Sequence, residues 1–374
     1  MKLLVPFGTR PEIIKLAPVI AAVLAAGFDT RVVATGQQAD PSMSDEMTRA
    51  LGVVPADTWE LPADGSERFG AILTRADREI ATTRPDVVLL LGDTLTVPAF
   101  SLAARRHGVP VAHLEAGMRS FNETSMEELN RRVAAAAASL HLAPTERAAS
   151  FLLREGIEAD RIRVVGNPVI DALRSRGVKR TPIEDRAGVV VTAHRATNVD
   201  IPERLADLVA LIARLQREIG PVTFPVHPRT AQRMADSGAD TVLAEAGVTL
   251  LMPLGYDAML DLVGRAQVVV TDSGGLQEEA AWLGVPVVVL RRSTPRWESV
   301  DAGLAVLAGL DAELAVDACR RFVARDEQER VAATACPYGD GHTADRVVEL
   351  LSDPAVVDLL RLREPDFTGG ALPE

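Results

Sequence analysis

Short, β-branched apolar runs recur along this chain, each followed by a longer stretch with helical spacing. That alternation limits the fold more than any other feature. The runs are KLLVPFG from Lys2, RVVATG from Arg31, DVVLLLGD from Asp86, PVAHLEA from Pro110, LHLAPT from Leu140 and RIRVVGN from Arg161. A second series gives GVVVTAHR from Gly188, VTFPVHP from Val222, VTLLMPL from Val248, QVVVTDSG from Gln267 and VPVVVLRR from Val285. Apolar runs without polar alternation fit strands covered on both faces, as in a parallel sheet between helix layers. The repeated strand–helix order predicts an α/β protein with two Rossmann-like, doubly wound domains facing a central cleft. The length of 374 residues suits two domains of roughly 150 residues plus connections. Expected boundaries are 1–168 for the first domain and 187–345 for the second, because the stretch between them turns polar and basic. Residues 346–374 form a C-terminal helix and tail expected to pack back on the first domain.

Charge narrows the function classes. Lys and Arg number 40 against 52 Asp and Glu, a formal net charge of −12. A broad nucleic-acid surface needs a basic field, so nucleic acid is not an expected partner. A local cationic pocket for a small anion remains compatible with that balance. The two cysteines, Cys319 and Cys336, cannot build a disulfide framework or a four-ligand zinc site. No apolar run approaches the 18 or more residues of a membrane span. The opening MKLLVPFGTRPEIIK is interrupted by Arg10, Glu12 and Lys15 and makes a poor signal peptide. A cytoplasmic protein without a membrane partner is the expectation.

Many of the predicted strands end in polar residues: Arg10 just past the first, then Gln37, Asp93, Glu115, Asn167, His194, His227 and Asp272-Ser273. Any one of them is equally well explained by the polarity of loops. The series together places polar groups where open parallel sheets bind ligands, outside the carboxyl ends of the strands. In FGTRPEIIK, Thr9 is a plausible helix N-cap and Pro11 suits the first turn; Arg10 and Lys15 would add charge to an anion-binding helix start. In TDSGGLQEEAAWLG, Ser273, Gly274 and Gly275 would offer backbone N–H groups to a diphosphate. Glu279, one turn later, is placed for ribose hydroxyls, and Glu278 reads as a solvated helix face. Asp93, Glu115 and the paired Glu127 and Glu128 could supply a general base and a general acid, or be caps and ion-pair members. His194 and His227 lack the short spacings of a metal site, so phosphate contact or proton transfer fits them better and no metal is expected. Arg291, Arg292 and Arg296 add cationic lining.

Together these motifs resemble the non-hydrolysing UDP-N-acetylglucosamine 2-epimerases. The likeness runs from FGTRPEIIKLAP through GDT, HLEAGMRS, EELNRR, APTERA, VVGNPVIDAL, VTAHR, PVHP and DSGGLQEE to PYGDG at Pro337. It implies a glycosyltransferase-B-type fold, a UDP-sugar substrate, a homodimer and no added cofactor. It also implies reversible inversion at C2 to give UDP-N-acetylmannosamine. By motif, Arg10 and Lys15 are the N-terminal substrate contacts, and Asp93, Glu115 and Glu127 the catalytic carboxylates. His194 is the catalytic histidine, on the opening strand of the second domain. Ser273, Gly274, Gly275, Glu279 and Arg296 are the nucleotide site.

The chain departs from the family pattern in places. TGQQ puts Gln38 where a histidine is usual, followed by Ala39 and Asp40, a region that in bacterial relatives contributes to a regulatory site. ETSM replaces Pro-Trp-Pro before the paired glutamates. Trp297 stands where a proline is expected, and Met259 replaces an aromatic. These changes suggest a variant serving a specialised secondary-metabolite or surface-glycan pathway. The alternatives are a hydrolysing epimerase that releases free N-acetylmannosamine, a transferase of the same fold, or a nucleotide-sugar sensor.

Overall fold

A computed structural model describes residues 1–37, 48–49, 51–62, 65–362, 364 and 370. Gln38, Ala39 and Asp40, on which the departure at TGQQ falls, lie outside the described residues, as does most of the tail after Leu362. The chain forms two compact units. Unit 1 comprises Met1–Met118, Glu123–Pro168 and His342–Glu374, and unit 2 comprises Arg119–Asn122 and Val169–Gly341. The polar stretch expected to separate two domains is therefore part of unit 2. Its start forms the helix Pro168–Ser175, whose Val169, Ile170 and Leu173 are buried in the unit 2 core. Apolar residues spaced as on one helix face outweigh the basic residues that follow them.

The strands of unit 1 are β1 (Lys2–Phe7), β2 (Asp29–Ala34), β3 (Asp57–Thr58), β4 (Val87–Leu91), β5 (Val111–Leu114), β6 (Leu140–Ala143) and β7 (Ile162–Val164). They form one parallel sheet in the order β3-β2-β1-β4-β5-β6-β7. Unit 2 holds β8 (Val189–Thr192), β9 (Val222–Pro225), β10 (Thr249–Leu251), β11 (Val268–Thr271), β12 (Val287–Val289) and β13 (Ala305–Leu307). Their order is β10-β9-β8-β11-β12-β13, again all parallel. Both orders are doubly wound. The winding reverses between β1 and β4 in unit 1 and between β8 and β11 in unit 2, which is where such sheets bind ligands.

The apolar runs have the physical cause inferred for them. Alternate strand residues point to opposite faces, and each face of the unit 1 sheet has its own core. Leu3, Val5, Phe7, Leu89 and Leu91 enter one, while Leu4, Val88 and Leu90 enter the other. The C-terminal helices Thr343–Ser352 and Pro354–Leu360 add Val347, Leu351, Val356 and Leu360 to the first of these. Two strands escape the sequence reading, β3 and β13. Both are sheet edges; β3 is two exposed residues, and β13 lacks the continuous burial of the inner strands, with two of its three residues part-exposed. Among the described residues, no helix is long and apolar enough to cross a membrane.

Leu90 is fully buried in β4, two residues before the loop that carries Asp93. Leu90→Ala should destabilise the protein by about 2–5 kcal/mol through lost burial and a residual cavity. A lower urea midpoint with an unchanged slope would show it.

Candidate active site

In unit 1, β1 runs through Gly8 into the helix Arg10–Ala25, and Thr9 occupies its N-cap with extended backbone. The Thr9 hydroxyl makes no cap; it donates to Glu12 Oε2 at 2.9 Å. Gly8 N–H donates to the same oxygen at 2.9 Å. A Cβ on Gly8 would meet Thr96 Oγ1 at 2.5 Å and Thr35 Oγ1 at 2.9 Å, so glycine is what lets the turn close here. Glu12 Oε1 accepts from Thr94 Oγ1 at 2.9 Å, across the reversal from the loop after β4. Arg10, the first helical residue, is part-exposed. Lys15 is buried, and its Nζ lies 2.5 Å from Glu115 Oε1.

Glu115 follows β5 with φ of +61°, a left-handed backbone that residues with a Cβ rarely adopt. It is 6% exposed, and a Cβ on Gly92 would come within 3.3 Å of its Oε2. His113 Nε2 lies 2.8 Å from the carbonyl oxygen of Gly92 and holds the two neighbouring strand ends together. Asp93 is next along that loop. Its carboxylate pairs with the buried Arg131, and its backbone oxygen accepts from Asn130 Nδ2 at 2.8 Å. Both partners come from the helix Met126–Ala137. The paired glutamates on that helix differ sharply. Glu128 is buried and ion-paired with Arg131 at 2.7 Å and Arg132 at 3.4 Å. Glu127 is exposed, and its Oε2 accepts from Ser125 Oγ at 2.5 Å. Of the two, only Glu127 presents a carboxylate that a ligand can reach.

In unit 2 the reversal between β8 and β11 is bridged by Asp272, which is fully buried. Its carboxylate accepts from the backbone N–H of His194 at 3.1 Å, from Arg195 N–H at 2.9 Å and from Asn198 Nδ2 at 3.1 Å. It also lies 3.1 Å from His194 Nδ1. Burial raises the Asp272 pKa, but the His194 contact and the N–H donors outweigh it and leave the acid below its usual range. The His194 ring lies 5.4 Å from that of His227. His227 Nδ1 accepts from Arg229 N–H at 3.2 Å, and desolvation together with the neighbouring His194 lowers its pKa. Among the described residues, no group of three or more His, Cys, Asp or Glu could hold a metal ion.

The loop after β11 leads into the helix Gly274–Leu283, with Ser273 as N-cap accepting from Leu276 N–H at 3.5 Å. The Arg296 guanidinium lies over this helix start: a Cβ on Gly274 would meet its Cζ at 2.9 Å, whereas one on Gly275 would meet nothing within 4 Å. Glu278, read from sequence as solvated, is instead fully buried and accepts from Arg296 Nε at 2.9 Å. The helix turns that face inward, where the arginine provides the compensating charge a buried carboxylate needs. Glu279 is 8% exposed and accepts from Tyr256 Oη at 2.9 Å. Burial and the Glu279 charge raise the Tyr256 pKa, so the phenol stays an O–H donor. Trp297 Nε1 donates to the Arg119 carbonyl oxygen at 2.9 Å, a contact that a proline there could not make.

The reversal in unit 1 thus gathers Arg10, Asp93, Lys15 and Glu115, and that in unit 2 gathers His194, Ser273, Gly274, Gly275 and Arg296. The sequence reading passed over the roles of Glu12, Arg131, Tyr256, Asp272 and Glu278. All five hold other groups in place; Asp272 could be found as a strand-end residue, whereas Arg131 and Glu278 lie within helices and gave no such signal.

Burial pushes the Glu12 pKa from 4.5 up to about 7, against the lowering effect of its hydrogen bonds. A raised folded-state pKa favours the protonated acid in the fold, so this contribution is complete below 4.5 and is lost as pH rises towards 7. Relative to Glu12→Gln, wild-type stability should therefore fall by about 2 kcal/mol between pH 5.5 and 8. Urea titrations of both proteins at the two pH values measure it.

Comparison with known proteins places this arrangement. A family model described as UDP-N-acetylglucosamine 2-epimerase matches residues 22–352. The UDP-N-acetylglucosamine 2-epimerase of Bacillus subtilis is 36% identical over 367 residues, spanning 94% of this chain and 95% of the relative. That of Methanocaldococcus jannaschii is 34% identical over 368 residues, spanning 94% and 99%. A crystal structure of the Methanocaldococcus jannaschii enzyme in complex with UDP-GlcNAc and UDP matches with a TM-score of 0.85, at 34% identity over 94% of this chain and 99% of that one. The Neisseria meningitidis enzyme bound to UDP-GlcNAc matches with 0.83, at 32% identity over 94% and 99%. With the family model covering most of its length and such relatives matching nearly end to end, this chain belongs to the UDP-N-acetylglucosamine 2-epimerase family.

Proposed function

We propose that the chain interconverts UDP-N-acetylglucosamine and UDP-N-acetylmannosamine by anti elimination of UDP to a 2-acetamidoglucal, followed by re-addition. The observation that carries this reading is the placement of Asp93 and Glu115 at the ends of neighbouring strands, each against its own cation. The C2 proton is not adjacent to a carbonyl group, so direct abstraction would leave an unstabilised carbanion. Breaking the C1–O bond gives C1 oxocarbenium character and makes the C2 proton removable. One carboxylate then takes that proton, and a carboxyl group returns a proton to the opposite face. Asp93, Glu115 and the accessible Glu127 are the groups for these transfers.

The departing diphosphate must be stabilised and retained so that it can return to C1. In this reading the backbone N–H groups of Ser273, Gly274 and Gly275, together with Arg296, receive it; such donors act most strongly where charge develops. His194, backed by Asp272, gives a further N–H or a proton to the leaving phosphate. Glu279, with one oxygen held by Tyr256, meets the ribose hydroxyls. Arg10 is a further substrate contact, and Lys15 sets the charge around Glu115. The family resemblance extends the proposal to a homodimer.

The test is incubation with UDP-N-acetylglucosamine in D2O, followed by proton NMR. Deuterium at C2 with a manno product is the expected result. Free sugar would instead mark a hydrolysing enzyme, and exchange with another UDP-sugar alone would reassign the substrate. No exchange with any would leave a binding protein. Asp93→Asn and Glu115→Gln should each slow exchange by roughly 10²–10⁴-fold. Wild-type rates in both would remove them from the mechanism. Gly274→Ala should displace the Arg296 guanidinium and weaken UDP binding about tenfold, as read by calorimetry.

A further inference from the structure

We infer that Glu12 is a positioning residue whose carboxyl group locks the turn carrying Arg10 to the turn carrying Asp93. The inference rests on the reaction proposed above and adds to it a residue that touches none of the reacting atoms. Glu12 is 4% exposed and sits in the first turn of its helix, with Ile13, Ile14 and Leu16 buried around it. An apolar residue would fill that site without the cost of desolvating a carboxyl group. A local cap explains only part of its bonding. Gly8 N–H and the Thr9 hydroxyl, both on Oε2, would complete a helix start on their own. A further bond goes elsewhere: Oε1 receives the hydroxyl of Thr94, which is 82 residues away in sequence and directly follows Asp93.

That bond closes a chain of contacts through the unit 1 reversal. On one side, Asp93 is fixed to the helix Met126–Ala137 by Arg131 on its carboxylate and Asn130 on its carbonyl oxygen. On the other, its neighbour Thr94 is fixed to Glu12, and Glu12 to the backbone immediately before Arg10. A second polar link lies beside it, Thr35 Oγ1 to Thr96 Oγ1 at 2.9 Å, but it bypasses both Asp93 and Arg10. The Glu12 carboxyl group couples the two directly. Without it, the Asp93 turn loses its tie to the start of the first helix, and a displacement of an ångström at a reacting group costs on the order of 10²-fold in rate.

Three variants test this: Thr94→Val, which removes the single hydroxyl, Glu12→Ala, and Glu12→Gln. In the glutamine variant the amide oxygen can accept from Gly8 and Thr9 while the NH2 group donates to the Thr94 hydroxyl, so the bridge survives. C2 exchange in D2O is measured at saturating and limiting UDP-N-acetylglucosamine, alongside the Kd for UDP. Thr94→Val and Glu12→Ala should lower kcat roughly 10- to 100-fold with the UDP Kd unchanged, and Glu12→Gln should stay within about threefold of wild type. Thr94→Val at the wild-type kcat, or Glu12→Gln as slow as Glu12→Ala, overturns the inference. If Glu12→Ala does not fold, the other two decide. Wild-type protein that fails to exchange brings down the functional reading and this inference with it. An active wild type with fully active Thr94→Val brings down this inference alone.

Discussion

A parallel sheet that reverses its winding sends two neighbouring connections to opposite faces and opens a crevice between them, which a side chain at the strand ends can bridge. In both sheets of this chain a buried carboxylate does this. Glu12 links the ends of β1 and β4, and Asp272 links those of β8 and β11. Paired threonines accompany each, Thr35 with Thr96 and Thr192 with Thr271. The two acids face the same desolvation and answer it differently. Glu12 has only neutral donors and is pushed up to about 7, whereas Asp272 gains His194 and several backbone and amide N–H groups and stays below its usual range. One sheet reversal therefore holds a nearly neutral brace and the other a firm anion.

Cations are distributed with the same economy. The chain is acidic overall, yet the reversals hold Lys15, Arg131 and Arg296, each against a carboxylate. Buried charges left alone would be costly, and pairing makes them tolerable. Arg296 is the clearest case. Glu278 fixes its Nε side, and Gly274 leaves the room for the guanidinium to lie over the start of a helix. The anion-binding character of that helix start comes from backbone N–H groups and the helix dipole. The arginine sharpens it without adding an unpaired charge to the interior.

The architecture was legible because parallel strands buried on both faces leave an unbroken apolar signature, which β4 and β11 show plainly. Edge strands leave none, and β3, with both residues exposed, had nothing to reveal. Strand-end residues such as Asp93, Glu115 and His194 stood out as polar groups closing apolar runs. Glu278 was misread because one-sequence reasoning places a carboxylate in water unless its partner is visible, and Arg296 is 18 positions away. Glu12 was noticed only as an interruption of an apolar segment. Its partner Thr94 becomes a neighbour through the pairing of β1 with β4, a relation that no local spacing encodes.

The backbone at Glu115 carries a consequence for how such an enzyme can change over generations. Its left-handed conformation suits glycine far better than an acid, and a side chain there costs on the order of 1–3 kcal/mol. Replacement by glycine would relax that backbone but strip the buried Lys15 of the carboxylate it meets, which costs about 3–5 kcal/mol, more than the strain relieved. Robustness and turnover therefore both hold the acid where it is, and a descendant freed from catalysis should shed Glu115 and Lys15 together rather than the acid alone.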